Sequence, residues 1–326
     1  MEKKKILFIS QEIFPFLPKS EISSTARRLP QVIQEIGKEI RVFMPRYGCI
    51  NERRHQLHEV IRLSGQNLTI DDHDHPLIIK VASVSAARMQ VYFIDNDEYF
   101  KRKDTLTDET GNFYSDNDER SIFFCRGVLE TVKKLGWQPD VIHCNGWLTS
   151  MMALYIKFVY NKDPHFANTK VVYSIYEDTF DTPWDSRLPE KLKFDGISPE
   201  VAEKFTDTSC AGITRSIAQY VDGINVGTES ISAEMKSIFE NLNEAIITKT
   251  NENIAFCNNI GINILNEIDK INAASAMGTL QFVDVLAKYN TAEMICTDDN
   301  EYNYNPIKTF KESYLFKDVV TGYTLK

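Results

Sequence analysis

Several things are scarce in this chain, and each scarcity removes a class of function. No apolar run approaches the ~20 residues that a membrane-spanning helix requires, and no signal-peptide core follows Lys3-Lys4-Lys5. The cytoplasm is therefore the expected address, with no membrane partner. Positive charge is in deficit: 37 Lys and Arg against 46 Asp and Glu leave a formal net charge of −9. A sequence-independent grip on nucleic acid relies on surplus Lys and Arg, so no nucleic-acid partner is expected. The cysteines at 49, 125, 144, 210, 257 and 296 form no CxxC pair and no zinc-like Cys/His spacing. Most sit in apolar segments, where a reduced thiol behaves as a small hydrophobe. His73 and His75, in Asp71-Asp72-His73-Asp74-His75, read as a polar turn between strands rather than a metal site. Asp95-Asn96-Asp97-Glu98 lacks the Gly-containing spacing of a calcium loop. No GxGxxG follows the first strand, which disfavours a dinucleotide enzyme.

What is present is an α/β alternation. With 326 residues, 43% of them hydrophobic, the chain can bury a substantial core. Ile6-Leu7-Phe8-Ile9 has the continuous apolar character of a strand buried on both faces. A loop with prolines at 15 and 18 follows, then Leu29, Val32, Ile33 and Ile36 at helical spacing, ending near Gly37. Ile40–Met44 is a second strand, and the loop after it carries Arg53-Arg54-His55. Leu77–Val81 and Met89–Ile94 form a hairpin excursion. From Asn117, residues Ile122, Cys125, Val128, Leu129 and Val132 share one helical face closed by Gly136. Strands are expected near 140–144, 170–175 and 223–227, with helices at 151–159 and 211–220 and an N-cap at Ser230. Residues 176–209 read as a long polar connection. The pattern predicts a doubly wound, mostly parallel sheet. One lobe is expected over residues 1–270, with an irregular extension over 271–326.

An ordered set of segments between about residues 4 and 240 resembles the bacterial glycogen synthase and plant starch synthase family. These are Glu12-Ile13-Phe14-Pro15, Met44-Pro45-Arg46-Tyr47, Val91–Asn96, Asp116–Arg120, Asp140–His143 with Trp147, and Ala211-Gly212-Ile213. Gly261-Ile262-Asn263 is a weaker echo of the Gly-Ile-Asp before the family's interdomain hinge. The resemblance implies a GT-B fold, of which this chain matches the N-terminal Rossmann-like lobe. It also implies glucose transfer from ADP-glucose, or UDP-glucose as the other possible donor, to an α-1,4-glucan, without metal or cofactor. In the family the N-terminal lobe mainly holds acceptor glucan, while the C-terminal lobe binds the nucleotide through cations aimed at the diphosphate.

The resemblance also locates departures. The family's Lys-Thr-Gly-Gly-Leu loop falls on Pro18-Lys19-Ser20-Glu21-Ile22, so side chains stand where two glycines let backbone amides approach the sugar diphosphate. Glu21 adds a carboxylate beside an anionic leaving group, and Lys19 stands one position late. His-x-His-Asp-Trp becomes His143-Cys144-Asn145-Gly146-Trp147, and a donor-contacting histidine falls on Tyr176. The resemblance thus makes His143 and Asn145 the catalytic candidates. Glu12, Lys19, His143, Trp147, Tyr176 and Trp184 are the candidates for holding donor or acceptor. Read from the residues alone, His143 is equally at home as a core side chain, and Trp147 fits a core more readily than a sugar platform. Tyr176, Phe180 and Trp184 are expected to be exposed, as a glucan-stacking face or an interchain interface. Two readings follow: a diverged glucosyltransferase whose nucleotide-binding groups come from a partner lobe, or a non-catalytic glucan- or protein-binding relative. The ~85 residues after the matched lobe fall short of the 100 or more of a second Rossmann domain.

Overall fold

The apolar run after the N-terminal lysines becomes β1 (Lys5–Ser10), the central strand of the sheet. The structure is a computed structural model describing residues 4–228 apart from 36 and 178, together with 232, 233, 235 and 238. α1 (Glu21–Glu35) packs Ile22, Ala26, Leu29 and Ile33 inward at the spacing the sequence predicts, and leads to β2 (Glu39–Pro45). A single helical turn, α2 (Glu52–His55), carries the basic run, capped by Asn51 Oδ1 accepting from the Arg54 amide. β3 (His58–Glu59), β4 (Gln66–Ile70), β5 (His73–Val84) and β6 (Met89–Asp95) form the excursion, with β5 and β6 antiparallel. After α3 (Asp97–Phe100) comes α4 (Asn117–Lys134), with acids in its first turn and lysines in its last, as the helix dipole favours. α4 is buried on more than the expected face: Phe123 and Phe124 are enclosed along with Ile122, Val128 and Leu129. β7 (Val141–Asn145), α5 (Met152–Phe158) and β8 (Lys170–Ile175) complete the alternation up to residue 175.

The sheet order is β3-β5-β6-β2-β1-β7-β8-β9, with β4 on β5 and β9 spanning Gly223–Val226. From β6 through β2, β1, β7 and β8 to β9 the pairing is parallel, as the doubly wound expectation requires. The strand order reverses between β1 and β7. In open α/β sheets that is where ligands bind, at the carboxyl ends of the strands. One apolar core spans both faces of the sheet.

Residues 176–209, expected as a long polar connection, are folded. They hold α6 (Leu188–Phe194), α7 (Pro199–Ala202) and a 3-10 turn at Glu203–Phe205, before α8 (Cys210–Ala218). Leu188, Leu192, Ile197 and Phe205 are buried. What ties the segment down is polar. Lys191 Nζ, inside the protein, donates to Asp118 Oδ2 and Glu119 Oε1 at 2.7 Å each and lies 2.9 Å from Asp185 Oδ2. Burial opposes the Lys191 charge, but the three carboxylates outweigh it and hold its pKa above the usual range. Burial pushes the Asp118 carboxyl up to about 6 even beside Lys191.

The expected N-cap at Ser230, the helical Ile36, Cys257 and Cys296, the Gly261-Ile262-Asn263 echo, and the boundary at 270 with its 271–326 extension lie outside the described residues. Replacing Lys191 with methionine keeps the chain length but strands Asp118 and its acidic neighbours without a cation. Lys191→Met is expected to lower the unfolding free energy by about 3–5 kcal/mol in a urea titration; a loss below about 1 kcal/mol would contradict the tether.

Candidate functional site

At the switch point the chain leaves β1 through Ser10 and enters Gln11, which is buried. The Gln11 amide donates to Asn145 O at 3.2 Å, continuing the β1–β7 pairing by one step. Its side-chain Oε1 accepts from the Leu148 amide at 3.1 Å, so the glutamine bridges the ends of both strands. Gly146 makes this possible. Its φ is +84°, which disfavours any L side chain, and a Cβ there would collide with the Gln11 carboxamide. The glycine at 146 and the glutamine at 11 are therefore one arrangement.

The neighbouring strands add buried polar groups. His143 Nε2 is hydrogen-bonded to Ser174 Oγ at 2.6 Å, and that oxygen accepts from Asn225 Nδ2 at 3.1 Å. The His143 ring sits edge-on to Phe8. Burial pushes the His143 pKa down to about 3, so the imidazole is neutral at physiological pH. Asn145 Nδ2 donates to Ile9 O at 3.3 Å, while its Oδ1 accepts from Tyr176 OH at 3.1 Å. Asn145 and Tyr176, both candidates by position, are thus partners. The Tyr176 ring lies across Gly227, where a Cβ would clash with it.

The amino end of α1 is closed by a reciprocal cap. Ser20 Oγ accepts from the Ser23 amide at 3.0 Å and Ser23 Oγ accepts from the Ser20 amide at 2.7 Å, a capping box with serine in place of the usual Glu or Gln. Ser20 Oγ donates in turn to Glu12 Oε2 at 2.5 Å, and Ser23 Oγ to Pro18 O at 2.9 Å. Two amide groups at the helix start are thereby satisfied within the chain, and Glu12 and Glu21 set negative charge around them. Lys19 is exposed, with its ammonium 5.9 Å from the centre of the Phe14 ring.

The aromatic candidates fall elsewhere than expected. Tyr176, Phe180 and Trp184 are 2%, 8% and 4% exposed, so the surface face expected of them does not exist. Phe180 stacks on Trp184 at 5.7 Å and on Phe113 at 5.1 Å, and Trp147 meets Phe113, Phe180 and Trp184 at 5.1–5.8 Å. The rings stack on one another because the folded 176–209 segment brings them inward. His75 is buried against Tyr99 and Glu98, its Nε2 2.9 Å from the Tyr99 hydroxyl. Among the described residues no cluster of His, Cys, Asp and Glu has the form of a metal site, and no helix is long and apolar enough to cross a membrane. Sequence reasoning missed Gln11, Ser23, Ser174 and Asn225. The available signal was position: Gln11 directly follows a strand end, and Ser174 and Asn225 lie in apolar strands where a polar residue needs a partner.

A doubly wound lobe with polar side chains converging on the carboxyl ends of β1, β7 and β8 is the class to which nucleotide-sugar transferase lobes of GT-B type belong. The sequence profile of the starch synthase catalytic domain matches residues 5–247, and the chain belongs to that family. It is 40% identical over 228 residues to a glycogen synthase of Chlorobium luteolum, covering 69% of this chain and 44% of that protein. A glycogen synthase of Chlorobium limicola is 39% identical over 173 residues, covering 53% of this chain and 35% of that protein. The chain therefore spans 35–44% of the length of these relatives. The catalytic domain of starch synthase IV from Arabidopsis thaliana, bound to ADP and acarbose, shares the fold with a TM-score of 0.60 at 15% identity, covering 76% of this chain and 50% of that one.

The His143 environment has a pH consequence. Its pKa falls from the ordinary 6.5 to about 3 on folding, so between those values the unfolded chain binds more protons. The contribution is full above about pH 6.5 and is lost progressively as the pH falls toward 3. Asp118, raised to about 6, acts in the opposite sense below that pH. The readout is therefore the stability difference between wild type and His143→Gln, which should shrink from about pH 7 to about pH 5. A difference independent of pH would mean that His143 is not held neutral.

Proposed function

We propose that this chain is the N-terminal, glucan-side lobe of a glycogen or starch synthase-like protein, and that alone it does not transfer glucose from a nucleotide sugar. Family membership and the glycogen synthase relatives support the substrate class, an α-1,4-glucan with a nucleotide sugar as donor. The observation that carries the second half is the Ser20–Ser23 cap tied to Glu12. At the start of α1 the Ser20 and Ser23 amides are engaged by hydroxyls, and an incoming diphosphate meets the carboxylates of Glu12 and Glu21 beside what remains of the helix start. Even a modest enzyme needs about 8 kcal/mol of transition-state stabilisation, most of which this chemistry assigns to groups facing the leaving diphosphate. In this proposal those groups come from a separate lobe. A glucan platform made of Tyr176, Phe180 and Trp184 has no part in it, because those rings are enclosed.

The test is transfer of labelled glucose from ADP-glucose or UDP-glucose to maltooligosaccharide. The pure 326-residue chain is expected to give background turnover, rising when extract of the source cells is added. Turnover by the pure chain well above background and abolished by Lys19→Ala would overturn the proposal.

A further inference from the structure

The amino edge of the sheet, opposite the switch point, holds a recess of about 180 Å³ between the starts of β1, β7 and β8. Lys4 and Lys5 both line it, against a single carboxylate, that of Asp140. The chain itself takes up that carboxylate: Oδ1 accepts from Lys4 Nζ at 2.9 Å and Oδ2 from the Lys5 amide at 2.8 Å. The lining therefore carries more positive than negative charge, in a chain whose formal net charge is −9. Asp163, which is bonded to the lining residue His165, also lies 3.3 Å from Lys133 Nζ, so its charge is offset outside the recess.

The hydrogen-bonding groups are of both kinds. Gln138 and Asn168 stand exposed at the mouth, and among the described residues neither carboxamide has a hydrogen-bond partner. Their N–H groups add to the lysine donors. His165 Nδ1 lies 2.9 Å from Asp163 Oδ1, which only accepts, so in the neutral ring the proton sits on Nδ1 and Nε2 presents a lone pair. Thr169 is buried and donates its hydroxyl hydrogen to Pro139 O at 2.7 Å, which leaves its oxygen as a second acceptor. A positive surplus with several donors suits an anion, and the two acceptors suit an anion that itself carries an O–H. The volume is well below the roughly 300–1,000 Å³ of sites for drug-sized ligands, which excludes a nucleotide and suits a tetrahedral oxyanion.

We propose that this recess binds inorganic hydrogen phosphate, with Lys4, Lys5 and the Asn168 and Gln138 carboxamides donating to its oxygens and His165 Nε2 or Thr169 Oγ accepting from its P–OH. Sulfate is fully ionised at neutral pH and has no hydrogen to give. A phosphomonoester, whose second ionisation falls near pH 6, has lost its own by about pH 7.5, which makes the free ion the ligand. An open, solvent-screened site of this kind holds the ion with a dissociation constant on the order of 1–10 mM. Nothing in this assignment depends on the activity proposed for the crevice, which lies about one strand length away, roughly 17–20 Å.

The experiment is an amide-detected NMR titration of the full chain with sodium phosphate, sodium sulfate and phenyl phosphate, each separately, at constant ionic strength and about pH 7.5. The expected result with phosphate is a saturable shift confined to residues 4–5, 138–140 and 165–169. Sulfate and phenyl phosphate are expected to bind at least about tenfold more weakly, because each leaves the acceptors without a hydrogen. Asn168→Asp, at an exposed position and nearly unchanged in size, removes a donor and adds a carboxylate. It is expected to weaken phosphate binding at least about tenfold while the rest of the spectrum stays as in wild type. No saturable shift with phosphate overturns the proposal. So does equally tight binding of sulfate or phenyl phosphate, which would reduce the recess to a general attraction for anions, or unaltered phosphate binding by Asn168→Asp.

Discussion

A glutamine carboxamide lies where the strand order of this sheet reverses, and much of the surrounding structure depends on its being there. Gln11 bridges the ends of β1 and β7 through Asn145 O and the Leu148 amide. Its placement requires glycine at 146. In a parallel sheet this crevice is the place where strand ends and helix starts converge unpaired polar groups on a ligand. Here Gln11 with the Leu148 amide, Asn145 with Tyr176, and His143 with Ser174 and Asn225 bond one another within the chain, while Asn225 Oδ1 is buried without a partner among the described residues. A buried polar group left unpaired costs about 1–3 kcal/mol, so these pairings are a stable alternative to a bound ligand.

The loops around the crevice are held by buried cations. Arg120, from α4, donates to Tyr99 O at 2.8 Å and Thr105 O at 2.7 Å and lies 5.3 Å from the Phe100 ring centre, fixing the chain between α3 and α4. Lys191 does the same for the 176–209 segment through three carboxylates. That segment delivers Phe180 and Trp184 onto Trp147, closing the flank of the site with rings. Removing either cation would leave desolvated acceptors behind, which is why such groups act as organisers more than as sources of net stability.

The strands and long helices were legible because their signals are local. Ile6–Ile9, Ile40–Met44 and Lys170–Ile175 are apolar runs, and α4 repeats at helical spacing, so burial and element type follow from neighbours in sequence. Residues 176–209 were not legible, because α6 and α7 are short and their order rests on Lys191 meeting acids of α4. The exposed ring face inferred from Tyr176, Phe180 and Trp184 failed for the same reason. At the site, the loss of the glycine pair at Ser20 and Glu21 could be seen in sequence. That Gly146 makes room for Gln11 is a relation across the fold with no local pattern, whereas the Ser20–Ser23 cap spans three residues and was missed although its spacing is local. Family and fold both follow from these local signals.

At the carboxyl edge, Gln11, Asn145 and Tyr176 are bonded within the chain, and at the start of α1 the Ser20 and Ser23 amides are held by the chain's own hydroxyls. The most direct measurement is an ADP-glucose titration of the full chain followed at the backbone amides of Gln11, Ser20 to Ser23 and Asn145 to Trp147. The account predicts no saturable change at these amides through the millimolar range. Saturable shifts at Ser20 and Ser23 with a micromolar dissociation constant would show that the cap opens to phosphate, and would contradict it.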